Sequence, residues 1–401
     1  MNMNKVTLLG YKDHGKSTLI GNLLIITGSI SEQRIEEARA MSRKLGRQFE
    51  PGFILDSFEE EREGGLTIDT TRAQILYKGH AFEFIDVPGH EELIKNMISG
   101  ASNADLAILV VSAKGDEGIK DQTLRHLFLA KMLGIRRIIV AVNKMDKVAY
   151  KKESFEAFSN RICKFLLAIG FDRGSMFFVP ISAYKSDNLS SISKRMPWYK
   201  GKSLLDLMAS VAKVGRGSTN PNLRMSVQGT LPDGMLIGRV LCGELKEGQK
   251  VLVMPQKSSY KVSKIFVRGG AAKAARQGQN VAVELDNKLG FNPRGAVICS
   301  AHNPIMPQSR LSAVIFAVQK PENDTTLNFN GIPFACRIRT NKVIDTTTGK
   351  RTAGTLRPLG AAEVTIELKD GIIAEPFFEL PELGRFVLYN KNEFAGIGII
   401  T

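Results

Sequence analysis

The stretch Gly10-Tyr-Lys-Asp-His-Gly15-Lys16-Ser17 lies between the apolar run Val6-Thr-Leu-Leu9 and the segment Thr18-Leu-Ile-Gly-Asn-Leu-Leu24. It fits the spacing G-x-x-x-x-G-K-[ST], and its flanks predict a strand before it and a helix after it. Such a strand, loop and helix wrap backbone N–H groups around a polyphosphate. Lys16 supplies a cation for the terminal phosphates, and the Ser17 hydroxyl can ligate Mg²⁺. The stretch therefore predicts a phosphate-binding loop.

Downstream of this loop, apolar β-branched runs alternate with segments of helical periodicity. The expected strands are 70–77, 81–86, 106–112, 137–143 and 176–181, with 78–80 as a tight turn, and the expected helices are 32–44, 91–99, 120–133, 152–169 and 203–212. This alternation predicts a parallel sheet covered by helices on both faces. A ligand is then expected at the carboxyl ends of the strands.

Beyond about Asn220 the pattern changes to short alternating strands separated by Gly, Pro and Asn, which predicts small all-β barrels. The expected strands are 225–229, 236–242, 250–254, 260–267 and 281–285, and then 310–317, 332–339, 361–368 and 385–390 in a second β block that begins near Asn303. We therefore expect three domains, at residues 1–215, 216–303 and 304–401.

The composition, 43% hydrophobic and 24% charged over 401 residues, is typical of a globular protein with two or three domains. The longest apolar runs fall well short of the roughly 20 residues of a membrane-spanning helix, and the start Met1-Asn-Met-Asn-Lys5 does not have the form of a secretory signal. Four scattered cysteines without a C-x-x-C pair favour a reducing compartment. We therefore expect a cytoplasmic protein with no membrane partner.

The chain is strongly basic. Lys and Arg number 55 against 40 Asp and Glu, which gives a formal charge of +15. Such a surplus favours association with RNA or another acidic surface. The alternative is charge that serves solubility in general, because the basic residues are dispersed along the chain.

Asp86-Val-Pro-Gly89-His90 ends the third predicted strand. The Asp86 carboxylate can hold a Mg²⁺-bound water, and the Gly89 N–H can face a γ-phosphate. Thr67, in a charged segment with two adjacent glycines, can complete the Mg²⁺ shell only when that phosphate is present. Loss of the phosphate would then release both segments, which is the behaviour of a switch.

Two further stretches predict specificity for guanine. In Asn143-Lys144-Met-Asp146, the Asp146 carboxylate can accept from the N1–H and exocyclic amine of guanine, a pairing that adenine cannot offer, while Asn143 and Lys144 brace the loop and ring. Ser182-Ala183 can contribute a backbone N–H to the guanine oxygen. Each motif alone could be a strand-capping Asp or a polar turn, but the five in order at strand ends favour GTP over ATP.

These motifs together resemble the translation-factor GTPases, most closely the elongation factor 1-alpha branch. The stretches that carry the resemblance are Asp13-His14-Gly15-Lys16-Ser17-Thr18, Glu61-Arg62-Glu63, Leu66-Thr67-Ile68-Asp69, Asp86-Val-Pro-Gly89-His90, Asn143-Lys144-Met-Asp146, Met196-Pro-Trp198-Tyr199 and Ala374-Glu-Pro376-Phe-Phe-Glu-Leu-Pro381. The resemblance implies an α/β P-loop GTPase domain followed by two all-β barrel domains. It also implies GTP or GDP and Mg²⁺ as cofactors, the ribosome and aminoacyl-tRNA as partners, a nucleotide exchange factor, and a monomeric state.

The resemblance also assigns the site. The nucleotide-binding residues are Asp13, His14, Gly15, Lys16, Ser17, Thr18, Asp86, Gly89, Asn143, Lys144, Asp146, Ser182 and Ala183, and the metal is held by Ser17, Thr67 and, through water, Asp86. His90 inherits the role of orienting the attacking water when the ribosome repositions it. The alternative for His90 is a polar residue at a helix N-terminus.

Some positions depart from the family pattern. Tyr11 and Lys12 stand where the family has a small or imidazole residue and then a valine that shields the attacking water, and Gly64 stands where arginine is common. The segment 228–240 does not match the family's loop near the aminoacyl end of tRNA. Two other functions therefore stay open: a ribosome rescue or termination GTPase that binds a protein, and the GTPase subunit of sulfate adenylyltransferase. His14 argues against the latter, whose loop typically has Asp or Ala at this position.

Overall fold

The computed structural model describes residues 3–44, 46, 49–54, 72–86, 104, 106–115, 119–212 and 220–401. It divides into two compact units, Met1–Gly215 with Thr346–Gly349, and Arg216–Asp345 with Lys350–Thr401. Each unit has its own sheets and its own apolar core. Within the described ranges, no helix is long and apolar enough to cross a membrane.

The first unit is built on a six-stranded sheet. Within the described residues, its strands are β1 (Met3–Leu9), β2 (Arg72–Tyr77), β3 (His80–Asp86), β4 (Leu106–Ser112), β5 (Ile138–Asn143) and β6 (Met176–Pro180), and its helices are α1 (Lys16–Ile26), α2 (Glu32–Lys44), α3 (Asp121–Met132), α4 (Lys152–Ala168) and α5 (Leu204–Ala212). The strand order is β2-β3-β1-β4-β5-β6. All pairings are parallel except β2 with β3. The predicted parallel sheet is thus confirmed for five strands, and the whole sheet is mixed.

Burial explains why the central strands could be located from the sequence. Every residue of β4 and β5 is buried, as expected for parallel strands covered by helices on both faces. The edge hairpin corrects one prediction, because His80 pairs with Tyr77 and therefore begins β3. The turn consists of Lys78 and Gly79 alone, both with positive φ, as a two-residue hairpin turn requires. The helix predicted at 91–99 lies outside the described residues.

The second unit contains two barrels. The first has β7 (Arg224–Thr230), β8 (Leu236–Cys242), β9 (Glu244–Lys246), β10 (Lys250–Met254), β11 (Ser258–Val267), β12 (Gly270–Ala272), β13 (Ala274–Arg276), β14 (Asn280–Leu285) and β15 (Val297–Ser300). Six of these run in the order β10-β15-β7-β8-β14-β11, and the antiparallel pairing of β10 with β11 closes the barrel. β12 extends β11, and β9 pairs with β13 as a separate ribbon.

The second barrel has β16 (Gln308–Ala317), β17 (Thr325–Phe329), β18 (Ile332–Ile344), β19 (Arg351–Thr352), β20 (Gly360–Ile372), β21 (Arg385–Asn390) and β22 (Glu393–Ile400). Six strands run in the order β17-β21-β22-β16-β20-β18, closed by β17 with β18. One apolar cluster includes Leu241 and Val297 of the first barrel and Leu311 and Ile366 of the second, so the barrels share a core. The predicted all-β barrels are confirmed, while the boundaries at 215/216 and 303/304 stay predictions.

Candidate nucleotide-binding site

The loop between β1 and α1 folds back on its own lysine. Lys16 Nζ donates to the backbone oxygens of Gly10 (2.8 Å) and Tyr11 (3.0 Å). These bonds hold the ammonium group against the loop, next to the first turn of α1. The helix begins at Lys16 after Gly15 as its N-cap residue, and among the described residues no side chain caps it and no acidic residue occupies its first turn. A positive helix end combined with an ammonium group suits an anion.

The two glycines of this loop sit where a side chain has no room. A Cβ built on Gly10, whose φ is +145°, would lie 2.4 Å from the backbone oxygen of Val110 in β4. A Cβ on Gly15, whose φ is +92°, would lie 2.4 Å from Asn143 Nδ2. Both positions therefore require glycine, and the loop is packed tightly against the ends of β4 and β5.

Asn143, the last residue of β5, connects three parts of the site. Its Nδ2 donates to the backbone oxygen of His14 at 2.9 Å, and its Oδ1 accepts from the backbone N–H of Ala183 at 2.8 Å. His14 is 1% exposed, with Nδ1 3.4 Å from the backbone oxygen of Val110. One buried amide thus ties the phosphate loop to the segment proposed to contact the guanine oxygen.

Asp146 lies in a short 3-10 helix, Met145–Val148, that begins after Lys144 in left-handed conformation (φ 62°). Its Oδ1 accepts from Ser182 Oγ at 2.6 Å. Ser182 is fully buried, whereas Asp146 is only half-buried. The contact holds one carboxylate oxygen in a defined direction next to Ser182-Ala183, where the guanine base is expected.

The other predicted site residues lie in or beside the phosphate loop, at the end of β3, or outside the described residues. Asp13 and Ser17 are exposed and Thr18 is half-buried within or beside the loop. Asp86 is the last residue of β3, and its backbone pairs in register with Leu8 of β1, so it ends at the same edge of the sheet as the loop. Thr67, Gly89 and His90 lie outside the described residues, as do Gly64 and Leu66, and their roles stay predictions.

One buried ionisable side chain whose electrostatic environment includes Lys16 was not predicted from the sequence. His126, on α3, is 7% exposed. Burial lowers the pKa of His126 to about 4, and the charge of Lys16 acts in the same direction. The imidazole is therefore neutral near pH 7 and adds no positive charge beside the loop. Nothing in the spacing of a lone histidine on a helix indicates such proximity.

These observations fit a magnesium-bound nucleotide. The loop supplies a helix N-terminus without a side-chain cap and a lysine held in a defined orientation. It also has two glycines at positions where a larger residue would collide with its neighbours. The Ser17 hydroxyl is an exposed oxygen donor of the kind that Mg²⁺ prefers. The Asn143, Asp146 and Ala183 groups meet at the same edge of the sheet.

Comparison with known proteins agrees with this geometry. Residues 1–214 match the family described as "Elongation factor Tu GTP binding domain", and residues 319–401 match "GTP-eEF1A C-terminal domain-like". Elongation factor 1-alpha of Aeropyrum pernix is 36% identical over 426 residues, which cover 100% of this chain and 96% of that protein. The chain belongs to the elongation factor Tu and 1-alpha family of translation GTPases. Elongation factor 1-alpha of Sulfolobus acidocaldarius is 34% identical, covering 98% of this chain and 95% of that protein.

Among solved structures, Sup35 complexed with GDP and Sup35 complexed with GMPPNP are similar to this chain. They are 22% and 23% identical, both with a TM-score of 0.43, and each comparison covers 100% of this chain and 94% of the Sup35 chain.

Family membership confirms several predictions. The protein is a translation GTPase that binds GTP and GDP, with Mg²⁺ as the usual metal of the family. Its fold, a GTPase domain with two following barrels, is the one expected from the sequence. The role of each individual residue in the site remains a proposal.

Proposed function

We propose that this GTPase binds aminoacyl-tRNA in its GTP state and delivers it to the ribosome. The observation that carries the proposal is the match to elongation factor 1-alpha along 100% of this chain and 96% of the Aeropyrum protein, which includes both barrels as well as the GTPase domain. A formal charge of +15 supports an RNA partner. We further propose that the protein acts in the cytoplasm as a monomer, with an exchange factor that replaces GDP by GTP.

The site residues have distinct roles in this proposal. The backbone of 13–18 and the Lys16 ammonium bind the phosphates, and Ser17, Thr67 and Asp86, the last through water, hold the metal. Asp146 selects guanine, with Asn143, Lys144, Ser182 and Ala183 positioning it. When GTP is bound, its γ-phosphate supplies the bond that is hydrolysed. His90 orients the water that attacks the γ-phosphate. Water orientation together with charge stabilisation accelerates hydrolysis by a factor on the order of 10³ to 10⁵.

A second candidate is a termination or rescue GTPase that binds a protein in place of tRNA. The observation that favours it is the connection between β7 and β8. There, Leu231 N–H donates to Met235 O at 2.8 Å, and the Asp233 carboxylate accepts from the Met235 N–H at 3.0 Å. This compact turn, Leu231-Pro-Asp-Gly234, belongs to the segment 228–240 that departs from the family pattern.

Binding of charged and uncharged tRNA distinguishes these functions. We expect the GTP form to bind aminoacyl-tRNA at least about tenfold more tightly than the same tRNA without its amino acid, because an aminoacyl pocket adds about one hydrogen bond or apolar contact. Affinities are measured at several salt concentrations, with the GDP form as control. Equal, weak binding of both tRNAs with a steep salt dependence would indicate non-specific electrostatics and contradict the proposal.

Lys12 gives a prediction about the hydrolysis step. Its side chain is exposed in the loop, next to Tyr11. The family has an apolar residue at the position of Lys12. A lysine there adds positive charge near the phosphates and weakens the apolar shield of the attacking water, and both effects speed hydrolysis. Lys12→Val is therefore expected to lower the intrinsic hydrolysis rate about fivefold. The interaction of one exposed charge contributes roughly 1 kcal/mol, and a barrier higher by that amount slows a reaction by this factor.

The test is single-turnover GTP hydrolysis with and without ribosomes. Lys164→Val, which removes an exposed lysine from α4, is the matched control and is expected to leave both rates unchanged. Unchanged intrinsic and ribosome-stimulated rates in Lys12→Val would show that this position has no part in hydrolysis.

A further inference from the structure

Three side chains join the segments that directly follow the two proposed guanine-binding loops, 143–146 and 182–183. Tyr150 OH donates to Asp187 Oδ2 at 3.0 Å. Arg195 Nη1 lies 3.2 Å from both Asp187 Oδ2 and Tyr150 OH, and its guanidinium carbon is 5.8 Å from the centre of the Tyr150 ring. We call this group, Tyr150, Asp187 and Arg195, the Tyr150 cluster.

The Asp187 end of the cluster is fixed to the second loop. Asp187 and Ser182 exchange two backbone hydrogen bonds, Asp187 N–H to Ser182 O at 3.1 Å and Ser182 N–H to Asp187 O at 3.3 Å. The Asp187 side chain is 9% exposed, and its Oδ1 accepts from Ser193 Oγ at 2.6 Å. Both carboxylate oxygens therefore have partners, and the carboxylate holds a single orientation.

The Tyr150 end is fixed to the first loop. Tyr150 N–H donates to Met145 O at 2.8 Å, and Trp198 Nε1 donates to Tyr150 O at 2.9 Å. Ala149 and Tyr150 both have positive φ, 51° and 58°, a conformation that non-glycine residues keep only when their surroundings hold them. The backbone that follows Asp146 is thus held in an unusual shape by contacts from residues about 40 to 50 positions later.

The Tyr150 hydroxyl is suited to act as a hydrogen-bond donor that keeps its proton. Burial raises the pKa of Tyr150, and its hydrogen bond to Asp187 acts in the same direction. The hydroxyl therefore keeps its proton at neutral pH and donates to a carboxylate, which makes this a charge-assisted bond.

We propose that Tyr150 and Asp187 are positioning residues of the guanine site. Their hydrogen bond holds the two loops at the spacing that the base requires, which slows GDP release and sharpens the preference for guanine. Ser182 with Asp146 and Ala183 with Asn143 link the loops directly, and the Tyr150 cluster adds a link between the segments that follow them. The inference rests on the proposed guanine-binding roles of Asp146 and Ala183 and is independent of whether the cargo is tRNA or protein.

Tyr150→Phe tests this directly, because it removes the hydroxyl and keeps the ring. The readouts are the dissociation rate of a fluorescent GDP analogue and the ratio of affinities for GDP and IDP, whose base lacks the exocyclic amine. GDP release is expected to accelerate about tenfold, because one hydrogen bond to a charged group is lost. The preference for GDP over IDP is expected to fall as well. Combining Tyr150→Phe with Asp187→Asn should give less than the sum of the two single effects, since each substitution weakens the contact between Tyr150 and Asp187.

Tyr199→Phe is the matched control. Its hydroxyl lies 2.9 Å from Lys202 O and 3.3 Å from Phe178 O, outside the guanine loops, and its ring centre is 6.4 Å from that of Trp198, which also contacts Tyr150. A merely structural role for Tyr150 would lower the thermal unfolding midpoint in both variants and leave GDP release unchanged. GDP release in Tyr150→Phe equal to that in Tyr199→Phe would overturn the proposal, as would independent, additive effects of Tyr150→Phe and Asp187→Asn.

Asp146→Asn separates failure of this proposal from failure of the site assignment. If Asp146→Asn changes base preference and Tyr150→Phe does not, the cluster has no positioning role although the guanine site is correctly placed. If Asp146→Asn also leaves GDP preference intact, the guanine site lies elsewhere and the positioning proposal is overturned with it.

Discussion

Asp146→Asn is expected to lower GDP affinity about 10³-fold and to convert the site to a preference for xanthosine diphosphate. The carboxylate is proposed to accept two hydrogen bonds from guanine, and at roughly 2 kcal/mol for each bond to a charged group their loss amounts to about 4 kcal/mol. Xanthine has a carbonyl where guanine has its exocyclic amine. An asparagine amide can donate to that carbonyl, so the variant gains a hydrogen bond to xanthine that the wild-type carboxylate cannot make.

The structure makes this substitution specific. Asp146 Oδ1 accepts a 2.6 Å hydrogen bond from Ser182 Oγ, and an asparagine Oδ1 can accept the same bond. The contact between the two loops is therefore retained while the charge that faces the base is lost. The change in affinity then reports on recognition of the base rather than on collapse of the loop.

Competition binding of GDP and XDP measures the effect. Asp206→Asn, on α5, is the matched control, since Asp206 Oδ1 accepts from Lys78 Nζ at 2.6 Å and Tyr77 OH at 3.0 Å, outside the proposed site. It is expected to leave both affinities unchanged. Retained GDP selectivity in Asp146→Asn, or an equal change in Asp206→Asn, would show that Asp146 does not recognise the base.

The parts of the site that could be predicted from the sequence are those whose chemistry requires fixed residue types next to a strand end. A buried strand such as β4 is a continuous apolar run, and the predicted range 106–112 matches the observed Leu106–Ser112. The loop Gly10–Ser17 follows such a run directly. Spacing along the chain therefore predicts the phosphate loop and the Asn143–Asp146 loop without any knowledge of long-range contacts.

The Tyr150 cluster could not be found in this way. Tyr150 meets Asp187 and Arg195 because β5 and β6 are neighbours in the sheet, and no local pattern records that adjacency. The left-handed conformations at Ala149 and Tyr150 accompany those contacts and contradict the preferences of both residue types. Such residues carry no motif, so only the folded chain shows their proximity to the site.

The barrels show the same limit. The strands β15, β17 and β22 were not predicted, and β9, β12, β13 and β19 are too short, at two or three residues, to show a period. In β22, the stretch Glu393–Ile400 contains glycines that usually indicate turns. Gly398 is instead needed because a Cβ there would lie 2.1 Å from the ring of Phe386 on β21. Close packing between strands, which the sequence alone does not reveal, determines that residue.

A buried ion pair between the two barrels gives the largest expected effect on stability. Arg224 of β7, 3% exposed, donates from Nε to Glu375 Oε1 at 2.7 Å, and its Nη1 donates to the backbone oxygens of Leu223 and Asn303, each at 2.9 Å. Glu375, after β20, is 8% exposed. Within the described residues, its second oxygen, Oε2, has no hydrogen-bond partner. Arg224 is therefore the main compensation for the buried carboxylate.

Arg224→Met is expected to lower the free energy of unfolding of the barrels by about 3 to 5 kcal/mol, because it leaves a buried carboxylate without its counter-charge. Replacing both partners, as in Arg224→Met with Glu375→Leu, should recover most of that loss, since apolar side chains of similar volume carry no desolvation cost. Urea unfolding of the full chain, followed by circular dichroism, measures each value.

Arg351→Met is the comparison that separates the effect of burying an ion pair from the effect of losing one. Arg351 pairs with Glu363 on the second barrel, with side chains 47% and 32% exposed. Solvent screens that pair, so its loss is expected to cost at most about 1 kcal/mol. Equal losses in Arg224→Met and Arg351→Met would mean that the buried carboxylate finds other compensation. A double variant no more stable than Arg224→Met would instead show that the arginine stabilises the barrels through its bonds to Leu223 and Asn303 rather than through charge.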